Sequence, residues 1–181
     1  MSRFHRPSPV LPPLNELVER ALCTIDALEA ESLVRTIALS AYEEPLRERA
    51  LLDILKGFCS TNNVVASCLF FLRGLREESL RAGVHIVLGQ PDSFESEVPK
   101  LCAVVRLVAL SHYSENEAQI IADFAFHRSQ SIRWGVRREL SALSQDQRRC
   151  LVKANAAAAD ANNHNAHGLQ LMLRALPVKN D

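Results

Sequence analysis

Between Arg128 and Lys153 the chain carries seven cations, Arg128, Arg133, Arg137, Arg138, Arg148, Arg149 and Lys153, against only Glu139 and Asp146. Arg133 and Arg137 stand one helical turn apart, and Trp134 adjoins Arg133. A guanidinium offers a planar fork of N–H donors that fits carboxylate or phosphate, and an indole adds a flat apolar face. Two chemistries follow: a surface for an acidic protein partner, or one for nucleic-acid phosphates. The alternative is a solvated basic face balanced by Glu115, Glu117 and Asp123, with Trp134 as a packing residue. The candidate binding residues are therefore Arg128, Arg133, Trp134, Arg137, Arg138, Arg148 and Arg149.

Other chemistry-bearing residues form no complete site. His164 and His167 are three apart and meet on one helical turn, but two imidazoles are an incomplete metal set. No carboxylate or thiol at a recognisable spacing completes it, so no metal and no cofactor is expected. His112 and His127 fall near helix ends, where the helix dipole favours a cation, and His85 borders an apolar face. There is no Gly-rich phosphate loop, no H-E-x-x-H and no G-x-S-x-G. The five cysteines, Cys23, Cys59, Cys68, Cys102 and Cys150, are odd in number and contain no C-x-x-C pair. All fall in or beside apolar stretches, which fits buried, reduced thiols in a cytoplasmic protein better than activated thiolates. A Cys–His pair assembled through space leaves no trace in sequence, so an enzyme is unsupported rather than excluded.

The elements that must position these residues read as helices. The chain has 181 residues, 48% of them hydrophobic, and a formal net charge of zero. That length buries a core without disulfides or metal, and zero net charge gives no global pull towards nucleic acid or anionic lipid. Residues 1–13 hold Pro7, Pro9, Pro12 and Pro13 and predict an extended arm, without the apolar run of a signal peptide. Residues 14–176 form one helical domain, and 177–181 a tail. No apolar run is long enough to span a bilayer.

Leu14, Leu17, Val18, Leu22, Ile25 and Leu28 trace one helical face, with a second helix over about 29–42. Pro45 opens a third helix with Leu46, Ala50, Leu51, Ile54, Leu55 and Phe58 on its apolar face and Gly57 near its end. The stretch from Val64 to Leu72 is apolar on most sides and is placed centrally. Ser79 is a capping candidate for a helix ended by Gly89 and Pro91, and residues 92–97 are a polar connection. Pro99 opens a helix with Leu101, Val104, Val105, Val108 and Leu110. Ser114 with Glu117, and Ser144 with Gln147, have capping-box spacing. In 154–168 the alanines favour helix, whereas the asparagines and Gly168 favour a break before a last short helix ending near Leu176.

A pattern recurs in these helices. Leu46-Arg47…Ala50, Leu80-Arg81…Val84 and Ile132-Arg133…Val136 each read aliphatic, Arg, two positions, then a small or aliphatic residue. Ile54, Leu88 and Leu140 follow four residues later. The pattern resembles the second helix of HEAT-type repeats, although its spacing is irregular and two copies carry Val in place of Ala. The fold class is accordingly all-α, either an irregular HEAT-like α-solenoid or a compact multi-helix bundle. The resemblance implies a scaffold or binding surface rather than a particular chemistry.

The first functional expectation is a cytoplasmic adaptor or scaffold that contacts another protein through a helical-repeat surface. The second is a nucleic-acid-binding helical protein that uses residues 128–153. A third is a helical enzyme whose site is invisible in sequence. The helix from Gln130 to Leu140 combines one copy of the recurring pattern, Arg137, Arg138 and the only Trp, which makes it the leading candidate surface.

Overall fold

The computed structural model describes residues 12–57, 62–90, 97–160 and 163–176. Most of the expected N-terminal arm, the tail 177–181, Phe58, Cys59 and most of the polar connection lie outside the described residues. Among the described residues there are ten α-helices and no strand. They are α1 (Leu14–Cys23), α2 (Ala27–Leu39), α3 (Glu44–Gly57), α4 (Asn62–Leu75) and α5 (Glu77–Leu88). Then follow α6 (Glu97–Val108), α7 (Glu115–Ala125), α8 (Gln130–Ala142), α9 (Gln145–Asp160) and α10 (His164–Ala175). None is long and apolar enough to cross a membrane.

Local signals set most boundaries. Ser114 and Glu117 form the capping box at the start of α7, with each side chain bound to the other residue's backbone N–H. Ser144 and Gln147 do the same for α9, at 3.1 and 3.3 Å. Three expectations are corrected. The face drawn from Leu14 through Leu28 does not belong to one helix, because α1 stops at Cys23. Asp26 then caps α2, accepting a hydrogen bond from Leu28 N at 2.8 Å, and this leaves Ile25 fully exposed and Leu28 72% exposed.

Ser79 does not cap α5; it is buried inside the helix, which begins after Arg76 with Glu77 and Glu78 facing the positive end of its dipole. Gly168 does not break the chain. It lies within α10, started by Asn163, and a Cβ there would sit 2.6 Å from the Phe126 ring, so glycine permits close packing of the ring on the helix.

Packing follows a simple rule. Each of α1, α2, α3, α4, α6 and α7 packs on the next helix and on the one after it, and α7 also meets α10. This builds two rows, with α1, α3 and α5 in one and α2, α4, α6 and α8 in the other. α4 lies where four neighbours meet, and its Val64, Val65, Cys68, Leu69 and Leu72 are fully buried. One apolar cluster runs without a break from Leu17 in α1 to Leu173 in α10.

The arginines of the recurring pattern hold this stack together. Arg47 Nη1 donates to Ala38 O in the last turn of α2 at 2.8 Å. Arg133 Nη1 donates to His127 O and Arg128 O, just beyond α7, at 2.6 and 2.7 Å. Arg81 reaches His112 O at 2.5 Å and pairs with Glu77 and Glu117. In each case a guanidinium satisfies carbonyls at or beyond a helix end, where no intrahelical donor is available. The aliphatic positions point inward in α5 and α8, but Leu46 in α3 is about half-exposed.

Candidate interaction surface

α8 reaches its position through Ile132, Val136 and Leu140, all buried. Two of its arginines are also committed inward. Besides Arg133, Arg137 Nε donates to Ala125 O at 3.0 Å while its guanidinium lies 5.2 Å from the Phe126 ring centre. Arg137 nevertheless keeps an exposed surface, and Gln130, Ser131, Trp134 and Arg138 form an exposed stripe beside it. Trp134 is 65% exposed, and the Arg138 guanidinium stands 5.3 Å from the indole centre while bonding Glu139 at 2.8 Å.

Trp134 forms a ridge between two depressions. On one side is a shallow hollow walled by α8 alone, with Arg133, Arg137 and Arg138. On the other is a cleft of about 540 Å³ between α6 and α8, lined by Leu101, Val105, Trp134, Gly135 and Arg138 with Gln130 and Ser131 at its rim. The apolar wall comes from an unusual feature of α6. One face, Ala103, Val104, Leu107 and Val108, is buried. A second apolar stripe, Val98, Leu101, Cys102 and Val105, follows helical spacing on the outer side; Val98 is 47% exposed and the others are half-buried. A helix that is apolar on both sides ordinarily has neighbours on both sides. Here the outer stripe stays half-buried, and its Leu101 and Val105 line the cleft beside Trp134.

The structure therefore divides the basic segment. Arg133, Trp134, Arg137 and Arg138 share one surface on α8. Arg148 and Arg149 line a different cleft, of about 420 Å³, between α9 and α10 with Val152, Lys153, Leu173 and Arg174. Arg148 is buried and donates to Leu176 O at 3.1 Å and Ser141 O at 3.2 Å, so it ties the ends of α8 and α10 to α9. Arg149 pairs with Asp146 in solvent. Arg128 is exposed in the turn before α8, and its carbonyl serves Arg133.

The remaining candidates have plain surroundings. Burial pushes the Cys68 thiol up to about 12, which keeps it protonated and unreactive. Burial also raises Cys102, against the pull of Arg106. The expectation of buried cysteines fails at Cys23, which is exposed because α1 ends there instead of continuing. His164 and His167 are exposed on the first turns of α10, and His127 stacks on Phe124 while its Nδ1 accepts from Ser129 N at 3.1 Å. Among the described residues no three His, Cys, Asp or Glu side chains gather in a metal-sized group.

Leu101 and Val105, which the sequence places in the helix opened by Pro99 but not among the candidate binding residues, line the cleft beside Trp134. The signal was present as two interleaved apolar sets, one at 103, 104, 107 and 108 and the other at 98, 101, 102 and 105. Comparison with protein families, curated proteins and solved structures finds no match for this chain.

Proposed function

We propose that this protein is an interaction module, an adaptor or scaffold of HEAT-like helical-repeat type, that binds another protein at the α6–α8 surface. The observation that carries the reading is the exposed Trp134 beside the outer apolar stripe of α6. Aromatic residues in apolar clefts supply much of the energy of protein interfaces, and a large exposed apolar patch is rare without a partner. Stacking of helices on their first and second neighbours supports the repeat assignment, because such arrays present extended binding surfaces. The unpaired thiols of Cys23, Cys68, Cys102 and Cys150 support a reducing, cytoplasmic setting.

Nucleic-acid binding through residues 128–153 fits the geometry less well. Arg133, Arg137 and Arg148 spend N–H donors on main-chain carbonyls, Arg149 pairs with Asp146, and the basic segment is split between two clefts. Site-specific photocrosslinking in the native cell separates the readings. A photoreactive residue at Ser131 is expected to trap a protein, with capture lost in Trp134→Ala. A probe at Glu16, on α1, is expected to leave that protein uncaptured. Crosslinks to nucleic acid from position 131, or protein capture indifferent to Trp134→Ala, contradict the proposal.

A further inference from the structure

The Lys and Arg side chains of the last two helices share one destination. α9 carries Arg148, Arg149 and Lys153, and α10 carries Arg174. Arg149 and Lys153 stand one helical turn apart, so they project from the same side of α9. All four cations line the cleft of about 420 Å³ between α9 and α10, and no Asp or Glu among the described residues does. The apolar part of the cleft comes from Val152, Leu173 and Leu176. Leu173 belongs to the main core, so the packing that holds α10 in place also fixes this surface.

The cations differ in what they have left to offer. Arg148 is buried and bonds the Ser141 and Leu176 carbonyls, so it builds the wall and is not counted as a ligand donor. Arg149 pairs with Asp146 at 3.4 Å, but these side chains are 69% and 90% exposed, and an ion pair so open to water is weak and exchangeable. Lys153 and Arg174 are exposed, and neither forms an ion pair or side-chain hydrogen bond with a described residue. Like charges gathered around one apolar cleft repel each other, and an anion placed among them relieves that repulsion.

We infer that the α9–α10 cleft binds a small amphipathic oxyanion, a carboxylate or phosphate group carried on an apolar body. The apolar body rests on Val152, Leu173 and Leu176, and the oxyanion accepts from Lys153 of α9 and Arg174 of α10. The volume falls within the roughly 300–1,000 Å³ of small-molecule sites, which combine an apolar lining with a few polar groups. Guanidinium and ammonium groups both bind carboxylate and phosphate oxygens through charge-assisted hydrogen bonds. A neutral or cationic apolar molecule would leave the cluster of cations uncompensated, and inorganic phosphate would leave the apolar surface wet. The cleft shares no lining residue with the α6–α8 cleft, so the inference stands apart from the proposed partner surface.

The test is calorimetric titration of the full-length chain with octanoate and octyl phosphate, beside octanol, octylammonium and inorganic phosphate. Saturable binding of octanoate, octyl phosphate or both is expected, and the tighter of the two identifies the headgroup. Octanol, octylammonium and inorganic phosphate are each expected to bind at least about tenfold more weakly than the better anion. The doubly reversed variant Lys153→Glu, Arg174→Glu is expected to weaken the anion at least about tenfold. Lys56→Glu, at an exposed site on α3, is expected to leave its affinity unchanged. Circular dichroism checks that the variants keep the helical fold, as expected for exposed side chains. In the unaltered chain, amide NMR shifts are expected to move at Val152, Lys153 and Arg174 when the anion is added. Equal binding of octanol or octylammonium, binding of inorganic phosphate alone, or no binding overturns the inference. So does anion binding that ignores the double reversal or shifts amides only elsewhere. Anion binding that appears only after removal of residues 177–181 assigns the cleft to the chain's own tail and overturns it as well.

Discussion

Arg148 illustrates how a residue with binding chemistry can be consumed by structure. Its guanidinium is buried and bridges carbonyls of Ser141 and Leu176. Its removal leaves the Ser141 and Leu176 carbonyls without these donors and empties a buried site, so Arg148→Ala is expected to lower stability by about 2–4 kcal/mol in urea unfolding. Arg148→Lys is expected to recover less than half of that, because an ammonium cannot reproduce the planar fork. Arg149→Ala, at the exposed neighbouring position, is expected to change stability by less than about 0.5 kcal/mol. Glu117 is the acidic counterpart. Burial alone would raise its carboxyl, but the Ser114 N–H, the Arg81 guanidinium and the Ser114 hydroxyl outweigh burial and hold it below its ordinary value. Glu77 is lowered in the same way, with burial opposed by Ser111 and Arg81.

A carboxyl lowered in the folded state contributes stability above its unfolded value of 4.5, and loses it as pH falls through the lower folded value. Thermal melts of Glu117→Gln are therefore expected to fall furthest below wild type at neutral pH, with the gap closing as pH drops below about 4. A gap independent of pH would contradict the ionised bridge.

At the scale of the elements, the recurring helix pattern acts as framework. In α5 the position after Arg81 and Ala82 is Gly83, and a Cβ there would meet Leu72, Leu55 and Leu69 methyls at 2.7, 3.1 and 3.1 Å. Gly83→Ala gains about 1 kcal/mol of helix propensity but overpacks the core by about 1–3 kcal/mol. A net loss of about 1 kcal/mol is expected in denaturant melts, and a more stable variant would show that α4 and α5 can separate freely.

Helix identity was largely legible in the sequence where the determinants are local. The capping boxes at Ser114 and Ser144 and the apolar run of α4 all depend on neighbours within one or two turns. The break between α1 and α2 was hidden because Ile25 and Leu28 continue the apolar period while pointing to solvent, with Asp26 as the overlooked cap. Gly168 was misread because its reason, the Phe126 ring, is more than 40 positions away. The carbonyl partners of Arg137 and Arg148 were likewise invisible, since tertiary packing decides which helix end a long side chain reaches.

At the scale of the whole molecule, the packed helices leave a cleft open between α6 and α8 beside Trp134. The sequence singled out α8 and its Trp134, whose 65% exposure departs from the packing role also read for it, but it could not show that α6 brings Leu101 and Val105 beside them. That relation arises only when α6 packs on α8. Binding at this surface is expected to weaken only moderately with salt, because Arg138 at its wall is screened while the apolar anchor is not. A loss of affinity of about 10³ or more between 50 and 200 mM salt would instead point to phosphate neutralisation.

The central claim is that Trp134 stands in an open cleft until a partner covers it. Because it is the only tryptophan, its fluorescence reports on that cleft alone. In the isolated chain the emission is expected to be that of a solvated indole, fully quenched by acrylamide, and to become blue-shifted and protected when the partner binds. Blue-shifted, quencher-resistant emission from the isolated monomer would contradict the claim, because the surface would then already be covered by the chain itself.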